Sequence, residues 1–244
     1  MVRVASVRDS AGARFLPLVL SITAGSVDTI GFVGLGGLFT AHITGNLVIL
    51  AAYLIKARYA PIAILISVPV FVTVLMLGRA FVGVLERSNI ETLKPLLLLQ
   101  WLLLVGFLVL ATVGGPHLAL HDRDGIIAGM LGVSAMATQN VVVGHALRGA
   151  PSTAVMTTNI TRFVLDIGQV LLDPHSTRTP EAAFRARQTL PVIAGFAVGC
   201  GLGAGCQARF GLESLMLPTG LALFALLLAF VPAREAQESP KGSL

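Results

Sequence analysis

The chain has 244 residues, 55% of them hydrophobic and 12% charged, with a mean hydropathy of +0.85, far from the roughly 45–50% apolar and 25% charged usage of soluble domains. That balance excludes a soluble enzyme and predicts an all-α, polytopic membrane helix bundle with no room for a second, water-soluble domain. The net charge of +5 does not point to nucleic acid, because a hydrophobic chain gathers Lys and Arg for topological reasons; the partners expected are the lipid bilayer and a small solute, with no cofactor, no metal and no nucleic acid.

In chain order, residues 1–14 read as a tail carrying Arg3, Arg8 and Arg14. The apolar run that follows superficially resembles a secretory signal, but it is long, contains Asp28 and lacks a convincing small-residue cleavage site, so it reads as a retained first span. Windows of about 19 apolar residues place six spans at 15–38, 61–85, 94–114, 125–147, 190–210 and 212–231. Two shorter apolar stretches remain, 46–55 and 159–172, and both read as half-helices. Only Arg209, Phe210 and Gly211 separate the last two spans, which predicts a tight hairpin. Residues 232–244 close the chain as a second tail, so the expected arrangement is one transmembrane domain over 15–231. With the N-terminus in the cytoplasm, twelve Lys and Arg fall inside (Arg3, Arg8, Arg14, Arg87, Lys94, Arg148, Arg162, Arg178, Arg185, Arg187, Arg234, Lys241) against four outside (Lys56, Arg58, Arg123, Arg209). That asymmetry predicts both termini in the cytoplasm.

Ala41-His42-Ile43-Thr44-Gly45-Asn46-Leu47 aligns without gaps onto Ala154-Val155-Met156-Thr157-Thr158-Asn159-Ile160, with Ala, Thr and Asn identical. Each motif precedes a half-helix and two further spans. Two repeats, 15–114 and 125–231, therefore hold three crossings each. Three being odd, the second must start on the opposite face, which gives the inverted topology common in transporters. A plainer alternative lays both short helices flat on opposite membrane surfaces. In the buried version, each motif reads as an N-cap, bringing Thr44, Gly45, Asn46 and Thr157, Thr158, Asn159 toward a shared midplane. Two opposed helix N-termini favour an anionic or carbonyl-bearing solute, or water; a break at Gly34-Leu35-Gly36-Gly37 would instead offer carbonyls to a cation. The sign of the solute stays open.

Asp28 near the centre of the first span costs at least about 2.5–3.5 kcal/mol on insertion scales, so it must be paired, protonated or wet. Arg79 in the second span is the obvious partner; unpaired, Asp28 suits proton coupling. Gln139 and Asn140 stand at matching depth in the fourth span. His42 is either a proton shuttle or a satisfied interfacial histidine. Arg162 and Asp166, four apart, read as a helical pair. His117, His121, Asp122 and Asp124 share a loop, but no spacing there fixes a metal site. Cys200 and Cys206 lie about 240° apart around one helix and read as free thiols. Gly195, Gly199 and Gly203 repeat every four residues beside a second line of Gly201 and Gly205, the pattern of close helix packing and of faces open to self-association.

Ala24-Gly25-Ser26-Val27-Asp28 with Gly31-Phe32, then Phe39-Thr40-Ala41-His42-Ile43-Thr44-Gly45-Asn46, resembles the signature of YoaK-type bacterial membrane proteins, and the likeness continues through Gln139-Asn140 and Thr157-Thr158-Asn159 over most of 15–231. Ile43 stands where that family often has Met, and Thr158 where Gly is usual. The resemblance implies a bacterial inner-membrane protein of a family defined by a domain of unknown function, and supplies no substrate or site. The residues themselves point to a small-solute transporter or channel, with a non-transporting scaffold as the rival. An intramembrane enzyme using Asp28 and His42 would need a sharp break after Gly37 to bring the two together.

Overall fold

The computed structural model describes residues 11–56, 60–115 and 118–231, with side chains from Phe15 onward. Among the described residues, eight α-helices follow one another: α1 (Ala11–Gly34), α2 (Ile43–Ile55), α3 (Ile62–Arg87), α4 (Leu93–Gly114), α5 (Arg123–Val141), α6 (Met156–Leu172), α7 (Thr179–Phe210) and α8 (Met216–Leu228). A π-helical turn, Val142–Ala146, continues α5, and a 3₁₀ segment, Gly211–Leu215, joins α7 to α8. Among the described residues, five helical segments are long and apolar enough to cross a membrane: Phe15–Gly34, Ile62–Arg87, Leu93–Gly114, Arg123–Ala146 and the run Thr179–Leu228. Large apolar side chains such as Val72, Met76, Leu98, Leu102 and Val109 face outward, as lipid rather than water demands. This is a multi-pass membrane protein.

Several boundaries differ from the sequence expectation for physical reasons. The first span ends at Gly34 rather than 38, because Gly36 and Gly37 take φ of 74° and 112°, a backbone that residues bearing a Cβ adopt reluctantly. The penultimate helix starts at Thr179 instead of 190: Arg185 and Arg187 depress the hydropathy of that window but not the helix, which Pro180 opens in its first turn. The connection to α8 is not a bare three-residue hairpin but the 3₁₀ segment, with the Ser214 hydroxyl donating to the Gly211 carbonyl (2.6 Å) and to Gln207 Oε1 (2.9 Å).

Helix directions follow from two buried clusters. One holds Leu16, Val19 and Leu20 of α1 with Leu93, Leu96 and Leu97 of α4, Val82 of α3, Val141 of α5 and Ala225 and Leu226 of α8. The other holds Val27 and Ile30 of α1 with Leu104 and Phe107 of α4, Ala63 and Ile64 of α3, Ala128 and Ala135 of α5, Leu215 of the 3₁₀ segment and Ala222 of α8. The clusters lie toward the two ends of α1, so α4 runs parallel to α1 while α3, α5 and α8 run against it. On α7, Gly195 meets Leu18 and Ile22, Gly199 meets Ile22, and Gly203 meets Ser26. Those pairs advance together, so α7 is parallel to α1 and the chain reverses at the 3₁₀ segment. A methyl group on Gly25 or Gly199 would fall on the carbonyl of Phe196 or Ile22; the glycine line on α7 serves close packing, as its spacing predicts. Gly201 and Gly205 meet nothing.

Candidate functional site

The backbone between α1 and α2 folds back onto α1. Asp28 is 5% exposed, and its Oδ1 accepts hydrogen bonds from the backbone N–H of Thr40 (2.8 Å), Ala41 (2.8 Å) and His42 (3.3 Å) and from the Thr40 hydroxyl (3.4 Å). The Gly36-Gly37 turn makes this return possible. Irregular backbone at membrane depth must have its amides satisfied by protein, and here one carboxylate oxygen satisfies three. Among the described residues the other oxygen takes no hydrogen bond, and Asp28 lines a cleft of about 280 Å³ between α1, α7 and this connection.

The connection between α5 and α6 does the same job without a charge. Gln139, fully buried, donates through Nε2 to the Thr153 hydroxyl (2.8 Å) and to the Leu20 carbonyl of α1 (2.8 Å), while its Oε1 accepts from Gln100 Nε2 of α4 (2.7 Å). Thr153 occupies the repeat position of Thr40. Asp28 and Thr40 are twelve residues apart and Gln139 and Thr153 fourteen, a difference that coincides with the π turn at Val142–Ala146. Such turns insert residues into a helix and often mark functional places.

The two asparagines of the repeated motif carry a matching geometry. Asn46 donates through Nδ2 to the carbonyl of Phe39 (2.8 Å), seven residues back, and to Ser67 Oγ of α3 (3.0 Å), while its Oδ1 accepts from the Phe39 N–H (2.9 Å). Asn159 donates to the carbonyl of Ser152 (2.6 Å), also seven back. Each is the fourth residue of its helix and each is 1% exposed. Neither helix has a side-chain N-cap bond, contrary to the sequence reading: the asparagines sit one turn in and reach back over the helix start. The two motifs are anchored at different levels of α1. Among the described residues no hydrogen bond joins them. The levels of Asp28 and Leu20 on α1, to which they attach, lie eight residues or about 12 Å apart at 1.5 Å per residue.

A family model matches residues 16–228, from the first turns of α1 to the end of α8. The chain belongs to that family, Protein of unknown function (DUF1275). No curated protein and no solved structure matches the chain.

In this DUF1275 chain the remaining sequence-singled residues fall as follows. His42 lines the cleft beside Asp28, its ring tilted on Phe39 at 5.8 Å; only its backbone N–H bonds the carboxylate. Thr44 and Thr157 are exposed on the first turns of α2 and α6. Asn140 turns its amide onto the Met136 carbonyl of its own helix (2.8 Å). Arg79 is exposed on α3 and does not pair with Asp28: backbone amides, not a guanidinium, meet that carboxylate. Arg162 is exposed, and Asp166 pairs instead with Arg185 of α7 (2.6 Å), because the buried face of α6 is the one turned to α7. Cys200 and Cys206 are free. His117, like most of both tails, lies outside the described residues. Sequence reasoning missed Gln100, Thr153, Ser67, Phe196 and Arg185. Gln100 carried a signal, as the one amide inside the apolar run of α4; the others become visible only when helices are packed.

Proposed function

We propose that this DUF1275 chain is a small-solute transporter of the YoaK type in the bacterial inner membrane, crossing it six times as two inverted three-span repeats with both termini in the cytoplasm. The alternating directions of α1, α3, α4, α5, α7 and α8 support six crossings. The packing supports the inversion: α1 lies against α7 and α8 as α5 lies against α3 and α4, and α2 lies on α3 as α6 lies on α7. Exchange the halves and the same pairings return.

The observation that carries the reading is the pair of buried asparagines, each binding the carbonyl seven residues before it in front of a short helix. Interrupted helices of this kind, in corresponding positions of two halves, are where transporters hold their solutes. Solute would enter beside Asp28 and His42, with Asn46, Gln139 and Asn159 holding the two connections against α1 and the short helices. On this reading Thr44 and Thr157, exposed on the first turns of α2 and α6, would face the two approaches.

Thr44→Cys and Thr157→Cys, each in a Cys200→Ser, Cys206→Ser chain in membrane vesicles, test it. A membrane-impermeant thiol reagent should label position 44 from outside and position 157 from the cytoplasmic side. Labelling of both from one side would end the inverted topology, and protection of both from either side would favour a packed, non-transporting scaffold.

A further inference from the structure

The two connections form an internal comparison. Gln139 shows that a neutral amide suffices to hold such a connection onto a helix at this depth, so the negative charge of Asp28 exceeds what the architecture requires. Its position makes that charge expensive. Among the described residues all its hydrogen bonds end on Oδ1, and they come from neutral donors, so the ionised carboxylate has no cationic partner there. Among the described residues, no Lys or Arg lines the cleft beside Asp28.

The rest of that cleft is aromatic. The Phe32 and Phe39 rings stack at 4.4 Å with 24° between planes, His42 leans on Phe39, and Phe196 and Cys200 close it from α7. An anion is disfavoured, because the free N–H groups ahead of α2 are already taken by Oδ1. A divalent metal needs six or more oxygen ligands or a tetrahedral N/S set; the cleft is lined by Asp28, Thr29, His42 and Cys200 among rings, and no three His, Cys, Asp or Glu side chains among the described residues are grouped to hold one. A carboxylate beside aromatic rings suits an organic ammonium group, whose charge the carboxylate meets and whose methyl or methylene shell the rings cover.

We propose that the Asp28 cleft binds an organic ammonium ion, which deepens the transporter reading by naming its substrate class and rests on it for the consequence that the ion is carried. The ammonium group belongs either to a free amine or to a phospholipid headgroup, and the chemistry recognised is the same.

Cys200 provides the readout. In a Cys206→Ser chain in phosphatidylglycerol nanodiscs, choline and phenethylammonium should slow alkylation of Cys200 by iodoacetamide at least threefold, and neutral 3,3-dimethylbutan-1-ol should not. Asp28→Asn should abolish protection. Phe196→Leu, which keeps the volume and removes the π face, should weaken it by roughly 2- to 30-fold and serves if Asp28→Asn does not fold. If phosphatidylethanolamine in the disc protects Cys200 while the free ions do not, the ligand is a lipid headgroup. Equal protection by the neutral alcohol, protection that survives Asp28→Asn, or none from any ammonium source overturns the site. Choline uptake into proteoliposomes is scored separately: protection without uptake removes transport and leaves the site standing, whereas solute flux without protection does the reverse.

Discussion

The connection ahead of α2 is organised by a carboxylate and the one ahead of α6 by a carboxamide, although both hold irregular backbone against the middle of α1. Oδ1 of Asp28 gathers the N–H groups of Thr40, Ala41 and His42 directly. Gln139 grips a side chain, Thr153, and borrows Gln100 and the Leu20 carbonyl to complete its bonding. A carboxylate can accept several donors at one atom, whereas an amide must divide its work between donor and acceptor ends. The difference teaches that one half is assembled around a concentrated charge and the other around a distributed neutral network; the second leaves the Oε1 of Gln100 buried without a hydrogen-bond partner, whereas the carboxylate of the first lines a cleft.

The sharpest way to break this comparison is to remove the two anchors. Asp28→Ala leaves the N–H groups of the buried Thr40 and Ala41 and of the half-buried His42 without their acceptor, at about 1–3 kcal/mol for each buried group, and is expected to lower stability by at least about 2 kcal/mol. Thermal unfolding in detergent, followed by the emission of Trp101 on α4, measures it. Gln139→Ala should cost less, since its partners are two hydroxyl or amide side chains and one carbonyl with a second lone pair. Equal losses would mean that the two connections are held with the same strength and that the charge adds nothing.

Next comes the α1–α7 contact. Gly199→Ala drives a methyl into the Ile22 backbone, and overpacking of this kind costs about 1–3 kcal/mol; Gly25→Ala does the same against Phe196. Gly201→Ala, on the open face, should change the unfolding temperature by no more than an ordinary surface substitution, within about 0.5 kcal/mol. A loss at position 201 matching that at 199 would mean that the second glycine line is also an interface, with another copy of the chain.

The asparagines follow. Asn46 makes three hydrogen bonds to Phe39 and Ser67, and Asn159 makes one strong bond to Ser152 with a long contact to the Met156 sulfur (3.9 Å). Asn46→Ala should therefore cost about 1–3 kcal/mol and Asn159→Ala toward the lower end of that range. The reverse order in the same unfolding assay would contradict the reading that the first half is the more tightly organised.

How much of this was legible in the sequence depended on the range of the interaction. Five membrane-length helices, the two short helices and the α7 glycine line follow from composition and from 3.6-residue spacing, which report local conformation and the face a helix buries. The Asn46 and Asn159 pair was legible as a repeat, but not the bond each makes seven residues back, which needs the connection to double over. The unusual position of Asp28 was plain from cost alone. Its partners were not, because backbone N–H groups carry no residue signature, and a search for an opposite charge settles on Arg79, which the fold leaves outside.

The same contrast of range decides the last prediction, at the far end of α6. Spacing pairs Asp166 with Arg162, four residues earlier on the same helix. Packing pairs it with Arg185 of α7: Nε lies at 3.1 and 3.3 Å from the two carboxylate oxygens, and a terminal guanidinium nitrogen at 2.6 Å from Oδ1. Arg185 is exposed enough for solvent to screen the pair, so the effect of Arg185→Ala on unfolding should be smaller than those of Asp28→Ala, Gly199→Ala and Asn46→Ala. It falls nonetheless on a carboxylate that is itself buried against α7. A double-mutant cycle with Asp166→Asn separates the candidates: coupling to Arg185 and none to Arg162 supports α6 held on α7 by this fork. Coupling to Arg162 instead would place α6 away from α7, and with it the claim that the second half mirrors the way α2 lies on α3.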